Sequence, residues 1–140
     1  SDARALLCGM SRGTNKGHIA RAALESIAFQ VSDVLMAMQA DISHPLKELR
    51  VDGGASRNDM LMQFQADILN VPVLRPKMLE STAWGAAAMA GLKAGVFSNL
   101  SEISKSWQLD RAFEPNMNAD QRQSRLTQWQ TALKRSRSDI

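Results

Sequence analysis

The stretch VDGGASRND, residues 51–59, places two adjacent glycines between an apolar segment and a polar helix start. Before it, LRVD (49–52) alternates apolar and polar residues as a half-buried strand does. After it, apolar residues at helical spacing predict a helix over 58–69, and VPVLRP (71–76) predicts a second strand. A strand, a helix and a strand joined by short turns form a parallel, right-handed βαβ unit. The sequence therefore predicts an α/β fold with the glycine turn at the carboxyl end of a parallel strand, where such sheets bind ligands.

The segments around this unit are predicted to be mainly helical, because most of them carry apolar residues at three- and four-residue steps. We found no internal repeat and no low-complexity segment. The further predicted elements are a short buried strand over 5–11, helices over 18–40, 81–95, 98–107 and 119–134, and a linker over 113–118.

The helices are predicted to bury different kinds of surface. Gly85 and Gly91, among many alanines, predict a small-residue helix that packs closely against another backbone inside a crowded layer. The predicted buried stripes are Ala20, Leu24, Ile27, Val31, Val34 or Leu35 and Met38 in the first helix, Leu61, Phe64 and Ile68 in the second, and Leu126, Trp129 and Leu133 in the last. The predicted caps are Thr14 or Asn15, Ser81 or Thr82, Asn99 with Glu102, and Gly95 at a C-terminal end.

Composition excludes several classes of protein. The 140 residues suit one domain, and the single cysteine, Cys8, permits neither an internal disulfide nor a cysteine metal cage, which favours a reducing, intracellular setting. No apolar run approaches the ~20 residues of a membrane helix, and no signal peptide is visible. The net charge of +3 owes much to Lys134, Arg135 and Arg137, where basic residues suit a helix end. We therefore expect neither a membrane nor a nucleic-acid partner.

The glycine turn is the best candidate site in the sequence. Glycines let a ligand approach the main chain, and the start of the following helix offers N–H groups to phosphate. Asn58 has two open interpretations from spacing alone: it caps the helix, or it donates to a ligand edge such as adenine or ribose. Asp52 is interpreted as a turn-capping residue, and Cys8 as a buried strand residue rather than a nucleophile. The residues thus predict half of a nucleotide site without a catalytic group.

Two parts of the sequence resemble a known family. The first fits a signature of the FGGY carbohydrate kinases, and the second resembles the glycerol kinase branch of that family. The resemblance is to the C-terminal part of these kinases and covers essentially the whole chain. The stretches that carry it are ALLCGMSRGTNKGHIARAALE (5–25) with ESIAFQ (25–30), then LRVDGGASRNDMLMQFQADIL (49–69) and ESTAWGAAAMAGL (80–92).

The resemblance implies an actin-like ATPase (ribonuclease H-like) fold. Residues 1–140 would be the C-terminal portion of the C-terminal, nucleotide-binding domain, with the N-terminal domain absent. The whole enzyme would use ATP, Mg²⁺ and an aspartate base to phosphorylate glycerol, giving sn-glycerol 3-phosphate and ADP. It would be cytoplasmic and a homo-oligomer at full length, and this part alone would be inactive.

The resemblance also assigns the turn. It implies that the GGA turn lies on the adenosine side of the ATP site, so that Gly54 and Asn58 touch the nucleotide while Gly53 and Ala55 shape the turn. It places no catalytic residue and no metal ligand in this chain. The glycerol-binding residues and the aspartate base would lie upstream.

Three residues depart from the family pattern, and two other functions stay open. Trp84 stands where a smaller apolar residue is expected, Ser32 where an arginine is common, and Cys8 where a larger apolar residue is expected. One alternative is a stand-alone nucleotide-binding or regulatory module, which upstream coding sequence would distinguish. The other is an FGGY kinase for another polyol or sugar, which the upstream substrate pocket would distinguish.

Overall fold

A computed structural model describes residues 5–41 and 45–137. Five helices and three strands are interspersed along this part of the chain, which confirms the α/β class. Of its helices, none combines the length and the apolar character needed to cross a membrane. The elements are α1 (Lys16–Asp41), β1 (Leu49–Arg50), a 3₁₀ turn (Gly54–Arg57), α2 (Asp59–Leu69), β2 (Val73–Pro76), α3 (Ser81–Lys93), α4 (Leu100–Lys105), β3 (Leu109–Phe113) and α5 (Ala119–Ser136).

The sheet has the order β1-β2-β3. Strands β1 and β2 pair in parallel, with Leu49 opposite Val73, and α2 is the connection between them. The predicted βαβ unit is therefore confirmed, although β1 is only two residues long. The Val51 amide extends the pairing by donating to the Leu74 carbonyl at 3.1 Å. The glycine turn follows directly, at the carboxyl end of β1.

The core lies on one face of this sheet, under α1, α2 and α5. The predicted stripe of α2 is confirmed, since Leu61, Phe64 and Ile68 are all buried. Phe29 of α1 meets the Phe64 ring edge-on at 5.4 Å and stacks on Trp129 of α5 at 5.1 Å between ring centroids. One aromatic side chain of α1 thus holds both neighbouring helices.

The predicted buried face of α1 is largely wrong. The residues that it buries are Ala28, Phe29 and Ser32, whereas Ile27, Val34 and Met38 of the predicted stripe are 42%, 59% and 50% exposed. Leu24, Val31 and Leu35 are half-buried, and Ala20 is exposed. The helix carries apolar residues on more than one face, and only the face that meets α2 and α5 is covered in the described chain.

The predicted strand over 5–11 is also wrong. These residues are irregular and exposed, with Leu7 and Met10 each 60% exposed. Cys8 is exposed too, so its interpretation as a buried strand residue fails. A strand forms only where a partner satisfies its backbone groups, and no strand of the described chain lies beside this segment.

Helix α3 has its predicted length but not its predicted surroundings. The N-cap residue is Glu80, not Ser81 or Thr82 as predicted, and its side chain makes no hydrogen bond to the helix. Gly95 does close it, at φ +78°: the Gly95 and Val96 amides donate to the Leu92 and Gly91 carbonyls, as in a Schellman motif. Ala88 is the buried residue of the helix, and Gly91 lies against the Phe97 ring rather than another backbone. Within the described chain, the predicted crowded layer is absent.

The sequence analysis missed strand β3. Its residues Leu109–Phe113 pair antiparallel with β2, and Phe113, assigned to a linker, is 2% exposed. The neighbouring helices follow their capping signals. Asn15, Asn99 and Asn118 accept hydrogen bonds from amides at the starts of α1, α4 and α5. The sequence HPLKE also predicts a turn over 44–48, and its first residue, His44, lies outside the described residues.

Candidate functional site

The glycine turn has a defined backbone geometry. Gly53 adopts φ 77° and ψ 175°, a combination that is essentially restricted to glycine. Its amide donates to the Leu79 carbonyl at 2.8 Å, and its carbonyl accepts from the Ser56 hydroxyl at 2.7 Å. Ser56 is 1% exposed, so the far side of the turn is closed. Gly53 therefore takes a backbone conformation that other residues rarely adopt, and this conformation sets the path of the turn.

Gly54 and Ala55 form the open side of the same turn. Both are exposed, and they begin the 3₁₀ turn, whose first amides have no acceptor within the turn itself. A Cβ built on Gly54 meets no atom within 4 Å. The main chain here is accessible to a ligand from solvent.

Asn58 performs the capping role that spacing allowed. Its Oδ1 accepts from the Leu61 amide at 3.1 Å, and its carbonyl accepts from the Met62 amide at 3.0 Å. Because the oxygen faces the helix, the Nδ2 group is the donor that can face a ligand. Asn58 is half-buried, so one side chain can serve both interpretations.

The start of α2 is partly occupied by its own cap and by Asp59. The Asn58 side chain already uses one of its free first-turn amides, that of Leu61, while the Met62 amide makes the first ordinary backbone bond of the helix. Asp59 adds a carboxylate in the first turn, where negative charge is favoured by the helix dipole and repels an anion. Arg75 and Arg111 pair with this carboxylate and offset its repulsion, so the Asn58 Nδ2 donor adds a nucleoside edge as a partner without excluding phosphate.

Asp59 is held by two arginines from the sheet. Arg75 Nη1 donates to its Oδ1 at 2.7 Å, and Arg111 Nη1 donates to its Oδ2 at 2.6 Å. The hydrogen bond from Arg75, together with the positive charges of Arg111 and Arg75, lowers the pKa of Asp59 below its ordinary 3.8 against a smaller opposing effect of burial. Sequence reasoning missed this cluster because Arg111 belongs to the strand that it did not predict.

A separate cleft of about 530 Å³ lies on the other face of the sheet. Arg50 points into it between the core-facing Leu49 and Val51, and its guanidinium lies 4.6 Å from the Trp107 ring centroid. Trp84 lines the cleft and meets Phe97 edge-on at 6.0 Å. The tryptophan that departs from the family pattern thus finds room in the cleft. None of the four predicted site residues lines it.

Within residues 5–41 and 45–137, no group of three or more histidine, cysteine, aspartate or glutamate side chains is placed to hold a metal ion. Ser32 is buried and borders a cavity of about 100 Å³ beside Ile68, where a longer side chain would fit.

Comparison with known families decides the relationship. The profile of the "FGGY family of carbohydrate kinases, C-terminal domain" matches residues 1–94. The chain belongs to the FGGY family of carbohydrate kinases. The resemblance inferred from the motifs is confirmed.

The relatives that the chain resembles are glycerol kinases. It is 81% identical over all 140 residues to the glycerol kinase of Acinetobacter baylyi, of which it covers 28%. It is 57% identical over 138 residues, 99% of its length, to that of Janthinobacterium sp. strain Marseille, again covering 28%. The chain therefore spans little more than a quarter of the length of these relatives.

Solved structures agree on the fold. A crystal structure of Plasmodium falciparum glycerol kinase with ADP aligns with a TM-score of 0.86 at 35% identity, over 100% of this chain and 28% of that one. A gluconate kinase from Lactobacillus acidophilus aligns with a TM-score of 0.73 at 26% identity, over 95% of this chain and 26% of the other. The predicted actin-like ATPase fold of FGGY kinases is confirmed.

Proposed function

We propose that this chain is the C-terminal portion of the C-terminal, nucleotide-binding domain of a glycerol kinase. The observation that carries the proposal is the 81% identity to a glycerol kinase. The match extends over the whole of this chain, which covers 28% of that kinase. In this proposal the N-terminal domain and the first part of the C-terminal domain belong to a longer protein. That the enzyme is cytoplasmic and a homo-oligomer stays a prediction from the resemblance.

Exposed apolar surface supports an incomplete domain. In the described chain β1 pairs with β2 alone, so its other edge has no strand beside it. Apolar side chains before and on α1, such as Leu7, Met10 and Val34, are about 60% exposed. Open strand edges and apolar faces are ordinarily covered in a finished domain. Upstream strands of the kinase would cover them.

The whole enzyme would transfer the γ-phosphoryl group of ATP to a terminal hydroxyl of glycerol, giving sn-glycerol 3-phosphate and ADP. Such transfer depends mainly on positioning and electrostatic stabilisation. In our proposal this chain supplies positioning: it binds the adenosine side of the nucleotide and leaves the reacting phosphate to upstream residues. We assign no Mg²⁺ ligand and no general base to it.

The roles of the turn residues follow from their geometry. The exposed main chain at Gly54 would contact the nucleotide directly, and Asn58 would donate from Nδ2 while its Oδ1 keeps the cap. Gly53 and Ala55 would hold the turn in shape. An ADP-bound relative with a TM-score of 0.86 over the entire chain supports a nucleotide site in this fold.

The test uses the full-length protein that carries this segment. We expect ATP-dependent phosphorylation of glycerol, and far weaker activity on gluconate and xylulose. Activity on one of those sugars with none on glycerol would overturn the substrate, and absence of any kinase activity in the folded protein would overturn the function.

A second experiment tests Asn58 itself. Asn58→Asp keeps the capping oxygen, removes the Nδ2 donor and should weaken ADP binding by about 1–3 kcal/mol. Asn118→Asp is the matched control, because Asn118 caps α5 through the same kind of hydrogen bond, to the Gln121 amide at 2.9 Å. Equal ADP affinity in both variants would leave Asn58 as a cap only.

A further inference from the structure

Arg75 joins the turn to the sheet. Its Nη1 donates to the Ser56 carbonyl at 3.0 Å and to Asp59 Oδ1 at 2.7 Å, while its Nε donates to Asp110 Oδ2 at 2.8 Å. The side chain is 12% exposed, although its two carboxylate partners are about half exposed. A single guanidinium thus connects the 3₁₀ turn, the start of α2 and strand β3.

The two upstream contacts lie on either side of Asn58. Ser56 precedes it by two residues and Asp59 follows it by one, so the guanidinium holds a backbone carbonyl before Asn58 and a side-chain carboxylate after it. The strand that carries Arg75 is itself held on both edges, parallel to β1 and antiparallel to β3. Arg75 therefore ties the turn to the central strand of the sheet.

We propose that Arg75 is a positioning residue for the nucleotide. It acts through Asn58 and the Gly54 main chain, by fixing the turn at the place where both can meet the ligand. This inference rests on the proposed function, since it assumes that the turn binds adenosine. Only a planar guanidinium with several directed donors can make these contacts together, so lysine is not an equivalent.

Arg111 offers a matched comparison. It also pairs with Asp59, at 2.6 Å, and lies on β3, the strand next to that of Arg75. Both guanidinium groups lie over the Phe113 ring, at 4.8 Å from its centroid for Arg111 and 5.3 Å for Arg75. It makes no contact with the Ser56 carbonyl among the described residues. A role in stability alone would make the two arginines behave alike toward nucleotide, whereas positioning would separate them.

The experiment compares Arg75→Met, Arg75→Lys and Arg111→Met in the full-length kinase. We expect Arg75→Met to raise the KM for ATP and the Kd for ADP about tenfold, because the donors that fix the turn are lost. The KM for glycerol should stay within about twofold. Arg75→Lys should recover only part of the loss, and Arg111→Met should change neither nucleotide constant by more than about twofold.

A double variant tests whether Arg75 acts through Asn58. Residues that act as a unit have non-additive effects. Adding Arg75→Met to Asn58→Asp should therefore weaken ADP binding much less than it does in the wild type. Fully additive effects would overturn the inference, as would equal nucleotide constants for Arg75→Met and Arg111→Met.

The outcomes separate this inference from the proposed function. If Asn58→Asp and Gly54→Ala both bind ADP normally, the assignment of the turn fails and Arg75 has nothing to position. If Asn58→Asp loses ADP affinity while folded Arg75 variants keep theirs, the inference alone is wrong. Should Arg75→Met fail to fold, Arg75→Lys decides: unchanged KM for ATP then refutes positioning.

Discussion

Replacing each of the two adjacent glycines with alanine should separate structure from binding. Gly53 lies at φ 77° and ψ 175°, where a Cβ conflicts with its own backbone, at a cost of about 1–3 kcal/mol. Neighbouring atoms add nothing, because a Cβ there meets no atom within 4 Å. Alanine also restricts the unfolded chain more than glycine does, and this offsets about 0.4–1 kcal/mol of that cost. Gly53→Ala should therefore destabilise the protein by roughly 1–2 kcal/mol.

Gly54→Ala should weaken nucleotide binding without destabilising the protein. Gly54 is outside the left-handed region, and its Cβ would also enter open space. Stability should be unchanged, or higher by up to about 1 kcal/mol. The added methyl group would stand where the nucleotide meets the main chain, so ADP affinity should fall at least about tenfold, and further in Gly54→Val.

Unfolding by denaturant and calorimetric titration with ADP, on the same full-length samples, measure both effects. Gly95→Ala is the control: Gly95 has φ +78° and ends α3, away from the turn. It should lose stability as Gly53→Ala does, with unchanged ADP affinity. Normal ADP binding by Gly54→Ala would refute ligand approach at the turn, and wild-type stability of Gly53→Ala would refute the backbone argument.

Three further predictions concern packing and charge. Phe64→Ala, at a side chain 6% exposed, should cost about 3–5 kcal/mol in denaturant unfolding, and a cost below about 1 kcal/mol would contradict its place in the core. Trp129→Phe removes the indole donor that lies 2.7 Å from Asp33 and should cost about 1–2 kcal/mol; a Leu133→Ala variant controls for lost packing on the same helix. The hydrogen bond from Arg75 lowers the pKa of Asp59 in the folded protein. The stabilisation from Asp59 is therefore complete above pH 3.8 and is lost as the pH falls through the lowered pKa. In acid unfolding curves, the wild-type protein should accordingly lose its stability advantage over Asp59→Asn. A constant difference across that range would contradict the ion pairing.

The elements that were predicted correctly are determined by residues close together in the chain. Helix α2 has an apolar stripe, an asparagine cap and an end at Asn70, which adopts the left-handed conformation at φ 56°. Its flanking strands are short and separated by turns of suitable length. Periodicity and capping depend on neighbours in the chain, so one sequence sufficed for this unit and for the turn that it presents.

The elements that were wrong or missed depend on distant partners. Residues 5–11 have the composition of a strand but no strand beside them, and β3 exists because β2 offers it an edge. The buried face of α1 was misjudged because Phe29 is drawn between two aromatic rings from other helices. At the candidate site, spacing predicted the cap at Asn58, whereas the contacts of Arg75 required the tertiary structure.

The contact between Asp33 and Trp129 joins residues 96 positions apart. At a synthesis rate of about 5–20 residues per second, a ribosome needs roughly 5 to 20 s to travel from one to the other. For that time the aromatic face of α1 has been made but its stacking partner on α5 has not. Newly made apolar surface of this kind is a target for chaperones and a route to aggregation. A nonsense codon after α1 and before position 129 would make that exposure permanent, so such truncated products should be cleared in the cell rather than accumulate.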